Sequence, residues 1–380
     1  MSDDITPFRI DVPESDLEDL RERLRRTRWP EHETVDDWSQ GIPLDYTRRL
    51  CDHWLERYDW RAAEARLNRF PQFLATLDDL DIHFVHARSP HPGALPLVMT
   101  HGWPGSIVEF QKVIEPLTDP VAFGGDAADA FHVVCPSLPG YGFSGKPGRT
   151  GWGSGATADA WDQLMARLGY PRYAAQGGDW GAQVTTALGM RHPDHLAGIH
   201  LNMVIAFPDP SDELTEREQA AMASVSHYDR WDSGYFKEQS TRPQTVGYGL
   251  VDSPAGLCAW IVEKFWAWTD ADGDPANVLT FDEMLDNVML YWVNGAGASS
   301  ARFYWEVVNN SDQTFLGLVE VPTGCSIFPR EIFRPSRRWA ERQFPNLHYW
   351  NEPDKGGHFA AFEQPETFVN EVRASFRPVR

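Results

Sequence analysis

The chain has 380 residues, enough for a large core, and its 42% hydrophobic and 23% charged side chains are typical of a globular protein in water. Its 34 basic and 55 acidic side chains give a formal net charge of −21, which repels nucleic-acid phosphates and anionic lipid surfaces. We therefore expect no nucleic-acid partner. No stretch approaches the roughly 20 apolar residues of a membrane-spanning helix, so we expect no membrane partner either.

The start of the chain and its cysteines favour a cytoplasmic protein. The first residues, MSDDITPF, lack the basic start and apolar core of a secretory signal. Cys51, Cys135, Cys258 and Cys325 form no C-x-x-C pair, so we expect free thiols in a reducing compartment. We expect no metal site, because no His, Asp and Glu cluster has ligand spacing.

Residues 1–85 are predicted to form a helical meander without catalytic groups. Leu17, Leu20 and Leu24 recur at helical spacing, and Ser15 with Glu18 matches a capping box. Further helical segments with interspersed tryptophans follow. If those tryptophans are exposed, the segment could form a homodimer.

The sequence changes after the meander. Short apolar runs end in loops rich in glycine and proline at 95–106, 131–145 and 173–181, with helix-length segments between them. This pattern predicts buried parallel strands of an α/β sheet. Ligands of such a fold bind at the carboxyl ends of the strands.

A helical, aromatic-rich block at 206–312 interrupts this pattern. We predict that it is a cap inserted into the α/β core, which would then consist of residues 86–205 and 313–380. Six of its aromatic side chains are expected to pack in the core of the cap, and any that line a pocket would favour a bulky apolar or aryl ligand. These are Trp260, Phe265, Trp266, Trp268, Tyr291 and Trp292.

The run GGDWG (177–181) predicts a sharp strand-to-helix turn with Asp179 at its apex. Small residues on both sides allow the close packing of a nucleophile elbow, whose familiar form G-x-S-x-G is absent from the chain. A turn aspartate that caps the helix is the alternative. An aspartate is ionised at neutral pH, and its attack on an acyl carbon would give an anhydride. A nucleophilic Asp179 therefore favours saturated electrophilic carbons, as in epoxides and alkyl halides.

Hydrolysis of an ester on Asp179 needs a general base and an acid that orients it. His358 lies in a glycine-rich loop ahead of a helix, and Glu331 lies just beyond the last strand-like run. Each alone is more commonly a solvated residue. The chain order of nucleophile, acid and base favours the catalytic interpretation of both.

The run HGWPG (101–105) follows a strand and predicts an oxyanion loop. The backbone N–H groups of Trp103 and Trp180 are the expected donors. The loop PGYGFSG (139–145) is expected to shape the entrance of the site.

These motifs together resemble the microsomal type of epoxide hydrolase. The resemblance extends over about residues 7–375 and includes FPREI, GGHFAAFEQPE, RFYWE and TRPQTVGYGLVDSPAGLCAWIVEKF. The stretch PFRIDVPESDLEDLRERLRRTRWP (7–30) resembles the N-terminal domain of that family. The membrane anchor of the mammalian enzymes has no counterpart in these residues, so we do not expect a microsomal location.

The resemblance implies an α/β-hydrolase fold with a mainly parallel sheet and an epoxide hydrolase that needs no cofactor. Asp179 would attack the epoxide while Tyr235 and Tyr304, which match the two cap tyrosines of the family, protonate its oxygen. A phenol with a pKa of about 10 is protonated at neutral pH and can donate. His358, oriented by Glu331, would then activate water, and a vicinal diol would leave.

Two other functions stay open at this point. A haloalkane dehalogenase shares the aspartate nucleophile but needs no phenolic acid, and a non-catalytic ligand-binding protein of the same fold needs no complete triad. The resemblance also leaves open whether the enzyme detoxifies epoxides or acts in secondary metabolism, such as the biosynthesis of enediynes.

Overall fold

The computed structural model of the protein describes residues 5–310 and 317–380. Within these residues, nine strands form a single sheet that has helices on both sides and a helical insertion. The strands are β1 (Ile5–Phe8), β2 (Gln72–Leu77), β3 (Leu80–Ala87), β4 (Leu95–Thr100), β5 (Phe131–Pro136), β6 (Tyr173–Gly177), β7 (Leu196–Leu201), β8 (Thr323–Ser326) and β9 (Leu347–Asn351).

The sheet has the order β1-β2-β3-β5-β4-β6-β7-β8-β9. Strands β5, β4, β6, β7, β8 and β9 run parallel to one another, whereas β1, β2 and β3 pair antiparallel and β3 joins the parallel part along β5. Every residue of β6 and β7 is buried, as the continuous apolar runs predicted.

The helices cover the sheet and form the cap. They are α1 (Glu14–Arg25), α2 (Leu44–Glu56), α3 (Trp60–Leu67), α4 (Ile114–Thr118), α5 (Ser154–Arg167), α6 (Asp179–Arg191), α7 (Glu216–His227), α8 (Gly234–Thr241), α9 (Pro243–Asp252), α10 (Pro254–Trp268), α11 (Phe281–Trp292), α12 (Gly297–Asn309), α13 (Arg337–Gln343), α14 (Ala360–Glu363) and α15 (Pro365–Phe376).

The N-terminal segment differs from the predicted meander in three ways. It is helical only to Leu67, and a β hairpin of β2 and β3 follows. The capping box of Ser15 and Glu18 is not formed, because α1 begins at Glu14 with Pro13 before it. Its tryptophans are buried or half-buried, so they do not supply the exposed surface expected for a homodimer.

Helices α7 to α12 form the cap between β7 and β8. The loop 139–145 packs against α12 and fixes its start: the Ser299 hydroxyl donates to the Gly140 carbonyl at 2.6 Å, and the Tyr141 hydroxyl donates to the Ser300 carbonyl at 3.2 Å. The predicted boundary at 312–313 lies outside the described residues. The boundaries at 85 and 205 stay predictions.

In residues 5–310 and 317–380, no helix combines the length and the apolar character that crossing a bilayer requires. The four cysteines are free and buried.

Candidate active site

Asp179 lies at the strand-to-helix turn that the sequence predicted. It is the first residue of α6, directly beyond β6, and its φ of 49° is in the left-handed region that an L side chain rarely adopts. The turn is tight because a Cβ at Gly177 would overlap the backbone of Gly181, and a Cβ at Gly181 would overlap the Thr100 carbonyl at the end of β4. The glycines therefore let the helix approach two strands and expose the Asp179 carboxylate.

Two loops at the carboxyl end of the sheet bring His358 and Glu331 to Asp179. The loops after β8 and β9 are joined by a bridge between Arg330 and Gly357. The residues that follow these two, Glu331 and His358, therefore become neighbours. His358 Nδ1 lies 2.7 Å from Glu331 Oε1, and His358 Nε2 lies 3.2 Å from Asp179 Oδ2. The three predicted residues thus form one continuous chain of contacts.

The triad is shielded from solvent. The side chains of Glu331, His358 and Asp179 are 0%, 2% and 14% exposed. Burial alone would lower the pKa of His358, but the negative charges of Glu331 and Asp179 and hydrogen bonds to both outweigh burial, so the pKa is raised well above its usual value. His358 is therefore an imidazolium while both carboxylates are charged.

The loop 101–105, for which the sequence predicts an oxyanion role, lies against the Asp179 carboxylate. The Trp103 backbone N–H donates to Asp179 Oδ1 at 2.8 Å. A Cβ at Gly102 would overlap the Asp179 carboxylate, so glycine is needed for this approach. Trp180 is in the first turn of α6, where backbone N–H groups have no partner within the helix.

The two cap tyrosines lie together above Asp179. Tyr304 on α12 packs edge-on against Trp180 with ring centroids 4.6 Å apart, and Tyr235 on α8 stacks on Trp103 at 4.8 Å. Their own rings are 5.8 Å apart. Burial, together with nearby negative charge, raises the pKa of both phenols well above its usual value, so both stay protonated at neutral pH.

A cavity of about 490 Å³ opens onto Asp179 and has both tyrosines in its wall. Its size is within the range of small-molecule sites. The rest of the wall is mostly apolar and comes from the cap and the loops after β7 and β8. These side chains include Met203, Ile205, Phe236, Val307, Ile332 and Phe333.

Sequence reasoning missed some members of the site. Tyr228 lines the cavity, and its hydroxyl oxygen is 2.8 Å from that of Tyr235. Lys264 lies under Tyr235, with Nζ 4.8 Å from the ring centroid and 2.6 Å from Asp232 Oδ1. No spacing in the sequence singled out either residue, because both reach the site through the packing of the cap helices.

One expectation about the surroundings of the site needs correction. None of the described residues that line the large cavity comes from the loop 139–145, so this loop anchors α12 instead of shaping the entrance. None of the six cap aromatics lines this cavity, in agreement with the expected packing in the cap core, where Phe265, Trp268 and Tyr291 are buried. Trp268 also packs against His358 with ring centroids 5.1 Å apart.

The expectation of no metal site stays a prediction, although the fold brings three possible ligands together. Among the described residues, Asp162, His192 and His195 place ligand atoms within 4.8 Å of one another. The group is at the amino end of β7, away from Asp179. Its imidazole nitrogens already lie next to carboxylates, with His195 Nδ1 2.7 Å from Asp162 Oδ1 and His192 Nε2 2.7 Å from Asp159 Oδ1. Contacts between imidazole nitrogens and carboxylates account for this cluster without a metal.

The sheet order and the turn at Asp179 define a protein of the α/β-hydrolase fold, and the family model "alpha/beta hydrolase fold" matches residues 96–242. A second model, "Epoxide hydrolase N terminus", matches residues 5–110. The chain belongs to the epoxide hydrolase family, and it is a hydrolase. The predicted fold class and resemblance are confirmed.

Relatives of this chain carry the same assignment over almost its whole length. A provisionally named epoxide hydrolase of Stigmatella aurantiaca is 58% identical over 379 residues, which cover 99% of this chain and 86% of the relative. Epoxide hydrolase 1 of Oryctolagus cuniculus is 36% identical over 401 residues, covering 97% and 88%. The crystal structure of juvenile hormone epoxide hydrolase from Bombyx mori superposes with a TM-score of 0.90 at 31% identity, covering 99% of this chain and 95% of that one.

Proposed function

We propose that this epoxide hydrolase converts an epoxide with an apolar or aryl substituent into a vicinal diol through an ester on Asp179, without a cofactor. The observation that carries the proposal is the position of Asp179 between His358 and the large cavity. His358 Nε2 lies 3.2 Å from its Oδ2, and the cavity on which it opens has two phenols in its wall.

In the first step, an Asp179 carboxylate oxygen attacks an epoxide carbon. The bond from that carbon to the ring oxygen breaks, and the ring oxygen takes a proton from Tyr235 or Tyr304. Oδ1 accepts from the Trp103 N–H, and Oδ2 lies 3.2 Å from His358 Nε2. We assign the attack to Oδ2, because Oδ1 then stays at the Trp103 N–H for the second step. The product is a hydroxyalkyl ester of Asp179 and a tyrosinate.

The loss of the Asp179 charge prepares the second step. That charge is one cause of the raised pKa of His358, so the pKa falls once Asp179 is an ester. His358 releases its proton, which restores the tyrosine, and becomes a neutral base held by Glu331.

Water then attacks Cγ of the ester. One water proton passes to His358, and the oxyanion forms on Oδ1 beside the Trp103 and Trp180 N–H groups. The bond from Cγ to the diol oxygen breaks, and the second water proton passes to that oxygen. Asp179 keeps the oxygen of the water, while the diol carries an oxygen from Asp179.

The lining of the cavity supports an apolar substrate. Apolar side chains such as Phe236 and Phe333 make up most of the cap and loop wall, which also contains Lys237 and Asn310. An epoxide with its ring at Asp179 and the two tyrosines would bury its substituent against the apolar side chains of this wall.

A single turnover of styrene oxide in ¹⁸O-labelled water, with enzyme in excess, tests the ester route. Mass spectrometry of the first-turnover diol should find no label from water, and the peptide that contains Asp179 should gain one labelled oxygen. Label in the first diol would mean direct attack by water and would refute the nucleophilic role of Asp179.

His358→Ala tests the order of the two steps. The variant should still form the ester, visible as a mass increase of one styrene oxide on the intact protein, and should turn over negligibly. Normal steady-state turnover would remove His358 from the mechanism. If the enzyme forms no diol but releases bromide from 1-bromobutane, it is a haloalkane dehalogenase instead.

The proposal includes a cytoplasmic location, supported by the four free cysteines. It includes no nucleic-acid or membrane partner, supported by the net charge of −21. The division into residues 1–85, 86–205, 206–312 and 313–380 is part of the same proposal, whereas the homodimer loses its support because the tryptophans of residues 1–85 are not exposed.

A further inference from the structure

Asp179 also lines a second, much smaller cavity, which among the described residues shares no other lining residue with the large one. Its volume is about 20 Å³, enough for one water molecule. Asp179 and His358 both line it, so a water there would lie beside the proposed ester carbon and the proposed base. Three further side chains in its wall carry a carboxyl or amide group: Glu109, Gln176 and Asn202.

Glu109 is held at this cavity by the loop that carries Trp103. It lies in the short helical turn Ile107–Phe110, which Ser106 caps by accepting from the Val108 N–H. The carboxyl group lies over Gly105, where a Cβ would overlap Glu109 Oε1. Gly105 thus leaves the space that the Glu109 carboxyl group occupies.

The charge state of Glu109 suits a group that binds water. Burial raises its pKa to about 8, an effect that the positive His358 opposes and the negative Asp179 strengthens. At pH 7 the side chain is therefore mostly a neutral carboxylic acid. A neutral carboxyl group can accept a hydrogen bond from water through its carbonyl oxygen.

Gln176 supplies an independent sign of a water at this place. It is 1% exposed and lines the cavity, and its amide nitrogen donates to Asn202 Oδ1 at 2.8 Å. Its Oε1 is buried and has no hydrogen-bond partner in the part of the chain that the structure describes. A buried acceptor without a partner beside a water-sized cavity indicates an ordered water.

We propose that this small cavity is the binding site of the hydrolytic water and that Glu109 is its positioning residue, an inference that rests on the proposed function. The water donates one hydrogen to His358 Nε2 and shares the other between Glu109 and Gln176 Oε1, the two acceptors in the same wall. This arrangement directs a lone pair of its oxygen at Cγ of Asp179. As the water attacks, His358 takes the first proton, and the second leaves with the diol.

Three variants measured by rapid quench and intact-protein mass test this role, because the method separates ester formation from ester hydrolysis. Glu109→Leu should form the ester at a rate within about threefold of the wild type and hydrolyse it at least about tenfold more slowly, the effect of losing one hydrogen bond of the transition state. Glu109→Gln keeps a carbonyl acceptor of the same shape, so ester hydrolysis should stay within about threefold.

Gly105→Ala keeps the Glu109 side chain but forces its carboxyl group out of place. It should slow ester hydrolysis and spare ester formation, as Glu109→Leu does. Glu115→Leu is the matched control, because Glu115 is an exposed glutamate of the neighbouring α4. Both of its steps should equal those of the wild type.

Normal ester hydrolysis by Glu109→Leu would overturn the inference. Equal losses of both steps in Glu109→Leu and Glu109→Gln would also overturn it, because Glu109 would then only support the fold. If the wild type forms the ester, the proposed function stands in either case. If the wild type forms no ester, the proposed function and this inference both fail.

Discussion

The hydroxyl oxygens of Tyr228 and Tyr235 lie 2.8 Å apart in the wall of the substrate cavity. Tyr228 belongs to the π-helical turn Tyr228–Asp232 that precedes α8, whereas Tyr235 lies in the first turn of α8. When Tyr235 gives its proton to the epoxide oxygen, the Tyr228 hydroxyl can donate to the resulting phenolate. Tyr228 would then stabilise the charge that ring opening leaves on Tyr235.

Tyr228→Phe should therefore slow ester formation by about threefold to tenfold, the effect of one hydrogen bond to a developing charge, and leave ester hydrolysis unchanged. Rapid-quench measurement of the Asp179 ester gives both rates. Tyr248→Phe is the matched control, because Tyr248 is 72% exposed on α9. An equal loss in both steps would mean that Tyr228 only maintains the shape of the cap.

Tyr235 and Tyr304 should both contribute to ring opening. Each single Phe variant should slow ester formation by about tenfold or more, and the double variant should lose it almost completely, because no phenol then remains to protonate the ring oxygen. Since the pKa of both phenols is raised well above its usual value, they stay protonated as the pH rises. Ester formation by the wild type should therefore not decline between pH 7 and about pH 9. A decline in this range would contradict the assignment of both donors.

Glu331→Gln should affect the second step and its pH dependence. Ester hydrolysis needs neutral His358, so its rate should rise with pH through the pKa of His358 and then level off. Glu331 is the largest of the causes that raise this pKa, so the variant should shift the rise to lower pH. Its maximum rate should fall by about 100-fold, because the imidazolium loses its charged partner. Single-turnover decay of the ester measures both quantities. A shift to higher pH would contradict the ion pair.

The catalytic motifs could be predicted because each depends on residues close together in the sequence. The turn at Asp179 needs small neighbours, and glycines stand on both sides of it. Glu331 could be proposed from its place after a strand-like run, and His358 from its glycine-rich loop ahead of a helix. Their contact, however, depends on the bridge between Arg330 and Gly357, which joins two loops that no local pattern relates.

The parts that could not be predicted depend on tertiary packing. The segment at 72–87 forms a hairpin because β3 pairs with β5, a contact between residues about 50 apart. Glu109 and Tyr228 have no distinctive sequence spacing. Each can be recognised only from the folded structure, where Glu109 lines the small cavity and Tyr228 lines the large one. Glu109 in particular is an ordinary glutamate by sequence, and its place in the wall of the small cavity beside Asp179 and His358 distinguishes it.

The turn at Asp179 should tolerate no side chain at Gly181. A Cβ there would overlap the Thr100 carbonyl, which belongs to the backbone of β4 and has no room to move. Gly181→Ala should therefore lower the free energy of unfolding by about 2 kcal/mol or more and reduce ester formation, because α6 would have to shift together with Asp179. Gly249→Ala is the matched control: Gly249 is in α9, and a Cβ there meets nothing within 4 Å. This control should be more stable than the wild type by about 0.5–1 kcal/mol, because alanine favours the helix. Urea unfolding measures the free energy of unfolding of both variants and the wild type. If Gly181→Ala is as stable as the wild type, α6 does not need its close approach to β4.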